Sequence, residues 1–271
     1  MTESGCSYGS EVGGFLDDLP PFTNRYIYEG KEQLDQIMEI EHHRLAHSRA
    51  ESLKISEYFQ RFLRPDPIPG LRLFYNPALQ ILILRSSSLE HLQAAGALHD
   101  TVTETLRPMG LHHALLLFGG ANVDVGDGQV KGPDWGWCSR RPPLGVAKRP
   151  GVVVEVGVSE PETKLCNDAR FWVDPTKGKA NMAITIKVDR RKPELKLNTR
   201  EWNSHLQRPH ITQFAIVEKY GDEITVSESP LVIPFHHIFQ RAPEHSKEKD
   251  IQHSKEQLTE WATSVWDAQE L

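Results

Sequence analysis

The run Gly151-Val152-Val153-Val154-Glu155-Val156-Gly157 constrains the fold of this chain more than any other segment. β-Branched residues at successive positions are stiff at χ1 and fit a pleated strand better than a helix. Because the run is continuously apolar rather than alternating, it predicts an interior strand covered on both faces. A strand of that kind needs helices above and below it, so it predicts a layered sheet. Glu155 is the exception within it. A lone anion between two apolar faces requires a cation, a metal, a hydrogen-bond network or exposure near the strand end.

The flanking segments supply the layers. A helix is expected over 31–62, where Leu34, Ile37, Met38, Leu45, Leu53, Ile55 and Phe59 can build one stripe before Pro65, Pro67 and Pro69 end it. Short strands are expected over 71–75 and 79–84, separated by Asn76-Pro77. Ser87 or Ser88 can cap a helix whose buried face is Leu89, Leu92, Leu98, Val102 and Leu106, and 114–118 reads as a strand. Glycine and proline recur through 126–149, around Trp135 and Trp137, which predicts an irregular lobe or a long hairpin. Ser159-Glu160-Pro161-Glu162 has the form of a capping box opening a helix that runs through Trp172, and a strand is expected over 180–188. A hairpin over 211–217 and 223–226 turns at Tyr220-Gly221-Asp222. This succession predicts a mixed α/β fold, a central mixed sheet flanked by helices.

Three units follow: a flexible N-terminal segment over 1–25, an α/β domain over 26–240, and a polar linker with an amphipathic C-terminal helix over 241–271. In that helix Leu258, Trp261, Val265 and Trp266 share a face, which docks on the domain or on a protein partner. No run approaches the roughly 20 apolar residues that cross a bilayer. The residues after Met1 lack the form of a secretory signal, and Cys6, Cys138 and Cys166 have neither disulfide-framework nor zinc-ribbon spacing. An intracellular protein of cytoplasm or nucleus is expected. The formal charge of -6 argues against long-range steering of a polyanion. Local basic patches remain at Arg140, Arg141, Lys148 and Arg149, and at Lys187, Arg190, Arg191 and Lys192.

Asp134 stands 21 positions before Glu155. If their oxygens converge they suit Mg²⁺ or Mn²⁺, which favour carboxylate and water ligands. The alternative is a structural acid network. Lys164 can orient water or offset negative charge, or it can be a surface lysine paired with Asp168 one helical turn on. Asp168 and Arg170 are auxiliary candidates. Trp135 and Trp137 can stack on bases or pack the proline-rich lobe. Glu39, His43 and His47 share a helical face with no fourth zinc ligand apparent.

Gly132-Pro133-Asp134, the strand ending Glu155-Val156-Gly157, and the helix carrying Lys164-Leu165, Asp168-Ala169-Arg170 and Trp172 together resemble the PD-(D/E)xK nuclease superfamily. The likeness is to its restriction-endonuclease-like branch, found in bacterial and fungal proteins, and its specific part covers 133–172. It implies a restriction-endonuclease-like fold in which Asp134 and Glu155 bind the divalent cation and a lysine supports phosphodiester hydrolysis. Gly157 stands where the simplest motif has lysine, and some members supply that cation from the following helix, which makes Lys164 the nearest candidate. The resemblance therefore implies a metal-dependent nuclease. The alternatives are an inactive nuclease-like scaffold for ligand or protein binding, and a small-molecule enzyme on the same scaffold.

Overall fold

The computed structural model describes residues 24–27, 29–47, 52–56, 71–79, 81–158, 160–228 and 230–271. In chain order its elements are β1 (Asn24–Ile27), α1 (Lys31–His47), β2 (Ser52–Ser56), β3 (Leu71–Asn76), β4 (Ile81–Ser86), α2 (Leu89–Leu106), β5 (Leu115–Leu117), β6 (Val123–Gly126), β7 (Gln129–Lys131) and β8 (Trp135–Ser139). They continue with β9 (Val152–Gly157), α3 (Glu162–Val173), β10 (Met182–Val188), β11 (Glu194–Asn203), β12 (Arg208–Tyr220), β13 (Glu223–Ser227), β14 (Leu231–Ile233), α4 (Phe235–Phe239), β15 (Ile251–His253) and α5 (Lys255–Gln269).

The valine run is interior, as its composition requires. It forms β9 within a seven-stranded sheet of order β13-β12-β11-β10-β9-β8-β5, and every residue of β9 is buried. Strands β5, β8 and β9 run antiparallel in turn, and α3 then carries the chain to β10, parallel to β9. Alternation along β9 divides the core. Val152, Val154 and Val156 pack toward α2 and α5, with Leu98, Val102, Trp261 and Val265. Val153 packs toward α3, with Ala169 and Trp172. The mixed α/β expectation is met, a central sheet flanked by helices.

Two regions differ from the sequence reading. The expected helix over 31–62 stops at His47, and 52–56 forms β2, paired with β1 and β4; residues 57–62 lie outside those described. Leu53 and Ile55 are two apart, the strand period, and two hydrogen-bonded neighbours outweigh their fit to a helical stripe. The irregular lobe contains an interior strand, β8, bonded to both β5 and β9. Gly136 is the reason it reads as loop. A Cβ there would lie 3.0 Å from the Val152 carbonyl oxygen and 3.1 Å from Pro150 Cβ, so the residue that weakens strand propensity is the one that lets the strands close. Strand β11 had no counterpart in the sequence reading, although Leu195, Leu197 and Thr199 alternate and are fully buried.

The C-terminal helix docks in cis. Leu258, Trp261, Ala262, Val265 and Trp266 are buried, and Trp261 Nε1 donates to the Ala94 carbonyl of α2 at 2.9 Å. That covers the apolar face through which a protein partner would have engaged it. Its capping box is real: Ser254 Oγ accepts from Gln257 N at 3.3 Å, and Gln257 Oε1 accepts from Ser254 N at 3.0 Å. The box expected at Ser159 falls on a residue outside those described, and α3 has Pro161 at its N-cap. The polar run before α5 carries core. Ile251 and His253 are fully buried, and Glu248 forms a two-pronged pair with Arg241, Nη1 and Nη2 each donating at 2.7 Å. Arg241 in turn lies 5.1 Å from the Phe235 ring centroid. Among the described residues no helix is long and apolar enough to cross a membrane.

Gly96 in the middle of α2 offers a test of how tightly this layer is filled. A Cβ there meets nothing within 4 Å. Gly96→Ala is expected to raise stability by about 0.5–1 kcal/mol, the helix-propensity difference, and to raise the urea midpoint. A lower midpoint would show that α2 needs the missing methyl's space.

Candidate functional site

Antiparallel register brings the two acids to neighbouring strands. Trp135 opposes Val154, so Asp134, the residue before β8, lies across from Glu155 on β9. Both are buried, at 7% and 2% exposure, which satisfies the condition that Glu155 imposed on the sequence: it has partners. Asp134 Oδ2 accepts the Val156 amide at 2.6 Å and lies 3.0 Å from His91 Nε2 in the first turn of α2. Glu155 accepts a hydrogen bond from Trp172 Nε1 on α3. The two carboxylates thus adjoin by register while being held from different sides.

On the α3 side Glu155 belongs to a buried charged cluster. Lys131, at the end of β7, is 5% exposed, and its Nζ lies 2.5 Å from Asp168 Oδ1. Lys164, one turn before Asp168, pairs with the other oxygen of that carboxylate. Lys131 Nζ also sits 4.7 Å from the Phe171 ring centroid and 5.5 Å from that of Trp172, a favourable place for a cation over an aromatic face. Lys164, Asp168, Lys131, Trp172 and Glu155 form one connected series. Thr185 on β10 adjoins Glu155 in register, and the buried Arg200 donates to Thr185 Oγ1 at 2.7 Å and to the Cys166 sulfur at 3.3 Å.

Gly157 has a packing reason. A Cβ there would lie 3.0 Å from both Cγ and Cδ1 of Leu165, so α3 seats the Leu165 side chain against the glycine and that side chain would have to give by a few tenths of an ångström to admit a larger residue. The neighbouring strand brings a cation to the same level. Lys187 adjoins Gly157 in register, and its Nζ donates to the Val158 carbonyl at 3.1 Å and to the Glu160 carbonyl.

Of the residues named from sequence, Asp134, Glu155, Lys164 and Asp168 fall in this region, and Lys164 has the Asp168 partner anticipated for it. Arg170 is half-buried in the last turn of α3. Trp135 packs on the α2 side, its ring 5.3 Å from that of His99, on the face of the sheet away from Glu155. Trp137 is fully buried and donates Nε1 to His99 Nδ1 at 3.1 Å, so its faces serve packing. Lys131, His91 and Arg200 were missed. Lys131 is 37 positions from the carboxylate it meets, and a single lysine beside Val130 and Gly132 gives no local signal. Cys138 is buried, and burial pushes its thiol up to about 11, which disfavours the thiolate that a nucleophile needs.

Among the described residues no group of three or more His, Cys, Asp or Glu side chains is arranged to hold a metal ion. The donors that do adjoin, Asp134 and Glu155, are hard oxygen ligands, which suit Mg²⁺ or Mn²⁺ rather than a soft metal. No protein-family model matches this chain, and no curated protein matches it.

Proposed function

We propose that this protein is a divalent-metal-dependent phosphodiester hydrolase of nucleic acid, built on a restriction-endonuclease-like sheet. The observation that carries the reading is the adjacency of two buried carboxylates, Asp134 and Glu155, on neighbouring strands beside a cluster rich in buried cations. Three antiparallel strands followed by a helical crossover to a parallel fourth support the restriction-endonuclease-like assignment. Asp134 and Glu155 would hold Mg²⁺ or Mn²⁺, which when bound lowers the pKa of water and offsets charge on a phosphate. His91 and the Val156 amide fix Asp134, and Trp172 fixes Glu155, so neither carboxylate must reorganise. Asp168 orients Lys164 as the auxiliary cation and Lys131 beside it, adding positive charge where a phosphodiester would gain negative charge.

The test is cleavage of single- and double-stranded DNA and RNA with Mg²⁺ or Mn²⁺, against a chelator control. Glu155→Gln keeps an acceptor for Trp172, so it is expected to retain the wild-type unfolding temperature and lose cleavage by ~100-fold or more, the scale of losing one electrostatic stabiliser. Cleavage undiminished in Glu155→Gln would overturn the reading. Binding of metal and nucleic acid with no cleavage of any of the four substrates would favour a second reading, a scaffold retained for ligand binding. Gly157 packed against Leu165 is the observation that favours that alternative, because the strand position from which a lysine would act carries no side chain and its space is taken up by Leu165.

A further inference from the structure

A concave site lies at the other end of β9 from the Glu155 cluster, where β9 and β10 begin and α3 ends. It is a cavity of about 330 Å³, within the range for small-molecule pockets, and its polar lining comes from Arg149, Lys179, Asn181, Glu201, Trp202 and His237. Its walls are fixed by backbone. A Cβ on Gly151 would meet the His237 carbonyl oxygen at 2.2 Å, so α4 presses directly on the strand. Asn181 Nδ2 donates to the same carbonyl at 3.0 Å, and Asn181 N donates to Gly151 O at 2.7 Å. The β11–β12 register shifts between Thr199 and Arg200, with Thr212 of β12 the extra residue, just before Glu201 and Trp202, the kind of irregularity that re-aims side chains at a site.

The lining has an incomplete set of polar contacts. His237 is 8% exposed, its Nδ1 is buried without a hydrogen-bond partner, and its Nε2 lies 3.9 Å from Glu201 Oε2, beyond a direct hydrogen bond. Burial, with His236 adding to it, holds His237 down to about 4, so at neutral pH the imidazole is an uncharged donor and acceptor. Burial likewise raises Glu201 from its ordinary value and lowers Arg149.

These groups specify a ligand with three properties. Arg149 and Lys179 call for an anionic group. Glu201 would repel a ligand that is only an anion, so the ligand must also present N–H donors to that carboxylate. Half-buried Trp202 offers a planar face for stacking. A nucleotide combines all three, and guanine offers two adjacent N–H donors to match two carboxylate oxygens. We propose that this cavity binds a guanine nucleotide unit, its phosphate on Arg149 and Lys179, its base edge on Glu201 and its ring on Trp202. Arg140, Arg141 and Lys148, all exposed on the same β8–β9 connection, continue the positive charge outward from Arg149.

The proposal stands apart from the hydrolase reading, because none of these residues belongs to the Glu155 cluster. Calorimetric titration of the full chain with guanosine 5′-monophosphate tests it. Binding is expected to weaken at least tenfold in each of Arg149→Gln, Glu201→Gln and Trp202→Ala, with unfolding temperatures unchanged in the first two and lowered in the third, whose ring packs against the Ala169 and Trp172 cluster. Glu155→Gln is expected to bind as wild type does. Inorganic phosphate binding as tightly as the nucleotide would overturn the proposal, and so would nucleotide binding indifferent to Glu201 and Trp202, or no binding. A 5′-phosphorylated oligonucleotide beginning with guanosine separates the two sources of the unit. Tighter binding than the free nucleotide, removed by the double variant Arg140→Ala/Arg141→Ala, assigns the unit to a strand. Equal binding assigns it to a free nucleotide.

Discussion

Gly178→Ala is expected to destabilise the fold by about 3 kcal/mol or more, the upper part of the range for overpacking, and to lower the unfolding temperature by roughly 6–12 °C. Gly178 lies over the last turn of α3, its amide donating to Phe171 O at 3.0 Å. A Cβ there would stand 2.5 Å from Trp172 Cα, 2.6 Å from Trp172 O and 2.8 Å from Phe171 O. All three are backbone atoms, which cannot step aside as a side-chain tip can. The strain falls on Trp172, which is fully buried and donates to Glu155, so the variant should also loosen the candidate site. Thermal unfolding with near-ultraviolet circular dichroism reads both effects. An unfolding temperature within 2 °C of wild type, on the scale of about 1 kcal/mol or less, would show that the turn after α3 relaxes freely.

Acid is the second strong perturbation. Burial holds His253 down to about 4, and His237 also to about 4, against an ordinary value of 6.5. Their folded values are depressed, so the unfolded chain takes up these protons first; the stability they contribute is present above pH 6.5 and is lost as pH falls toward 4. Two protons correspond to a slope of about 2.7 kcal/mol per pH unit where both titrate. Glu248 acts lower. The hydrogen bonds from Arg241 hold its carboxyl at about 2 rather than 4.5, so its contribution is present above pH 4.5 and lost between there and about 2. Urea midpoints measured from pH 7.5 to pH 4 should therefore fall in that interval, and the remainder should go between pH 4.5 and 2. His253→Gln should roughly halve the first slope. A midpoint constant from pH 7 to pH 4 would refute the assignment of two buried neutral histidines.

The sequence disclosed the interior of this protein better than its polar contacts. Val152 to Val156 announced a strand covered on both faces, and the same run announced that Glu155 needed a partner. Trp172 was placed at the end of the expected helix, but nothing in its spacing says that its indole N–H meets that carboxylate. Lys131 illustrates the limit. Its role depends on β7 bringing it to α3, a long-range contact without local periodicity. Leu53 and Ile55 were misassigned because no glycine or proline separates them from the helix before them, although residues two apart share a face only in a strand. Trp135-Gly136-Trp137 was misassigned because Gly136 lowers strand propensity and raises strand proximity at once. Asp134 and Glu155 fall on neighbouring strands, and the different sides from which they are held follow from α2 and α3, whose packing no motif encodes.

The bond from Trp261 to Ala94 spans 167 positions of chain. During synthesis the α2 face of the sheet, with Leu98, Val102 and Val154, is made long before the tryptophans that cover it. Until Trp266 has left the ribosome, the part of that layer that α5 covers has no partner from α5, a condition under which nascent chains are prone to associate wrongly. A message truncated anywhere in α5 would yield a product with most of its sheet and no lid, for chaperones or proteases to remove. Such distant closure also slows folding, because a large loop must be ordered before its contacts repay the entropy.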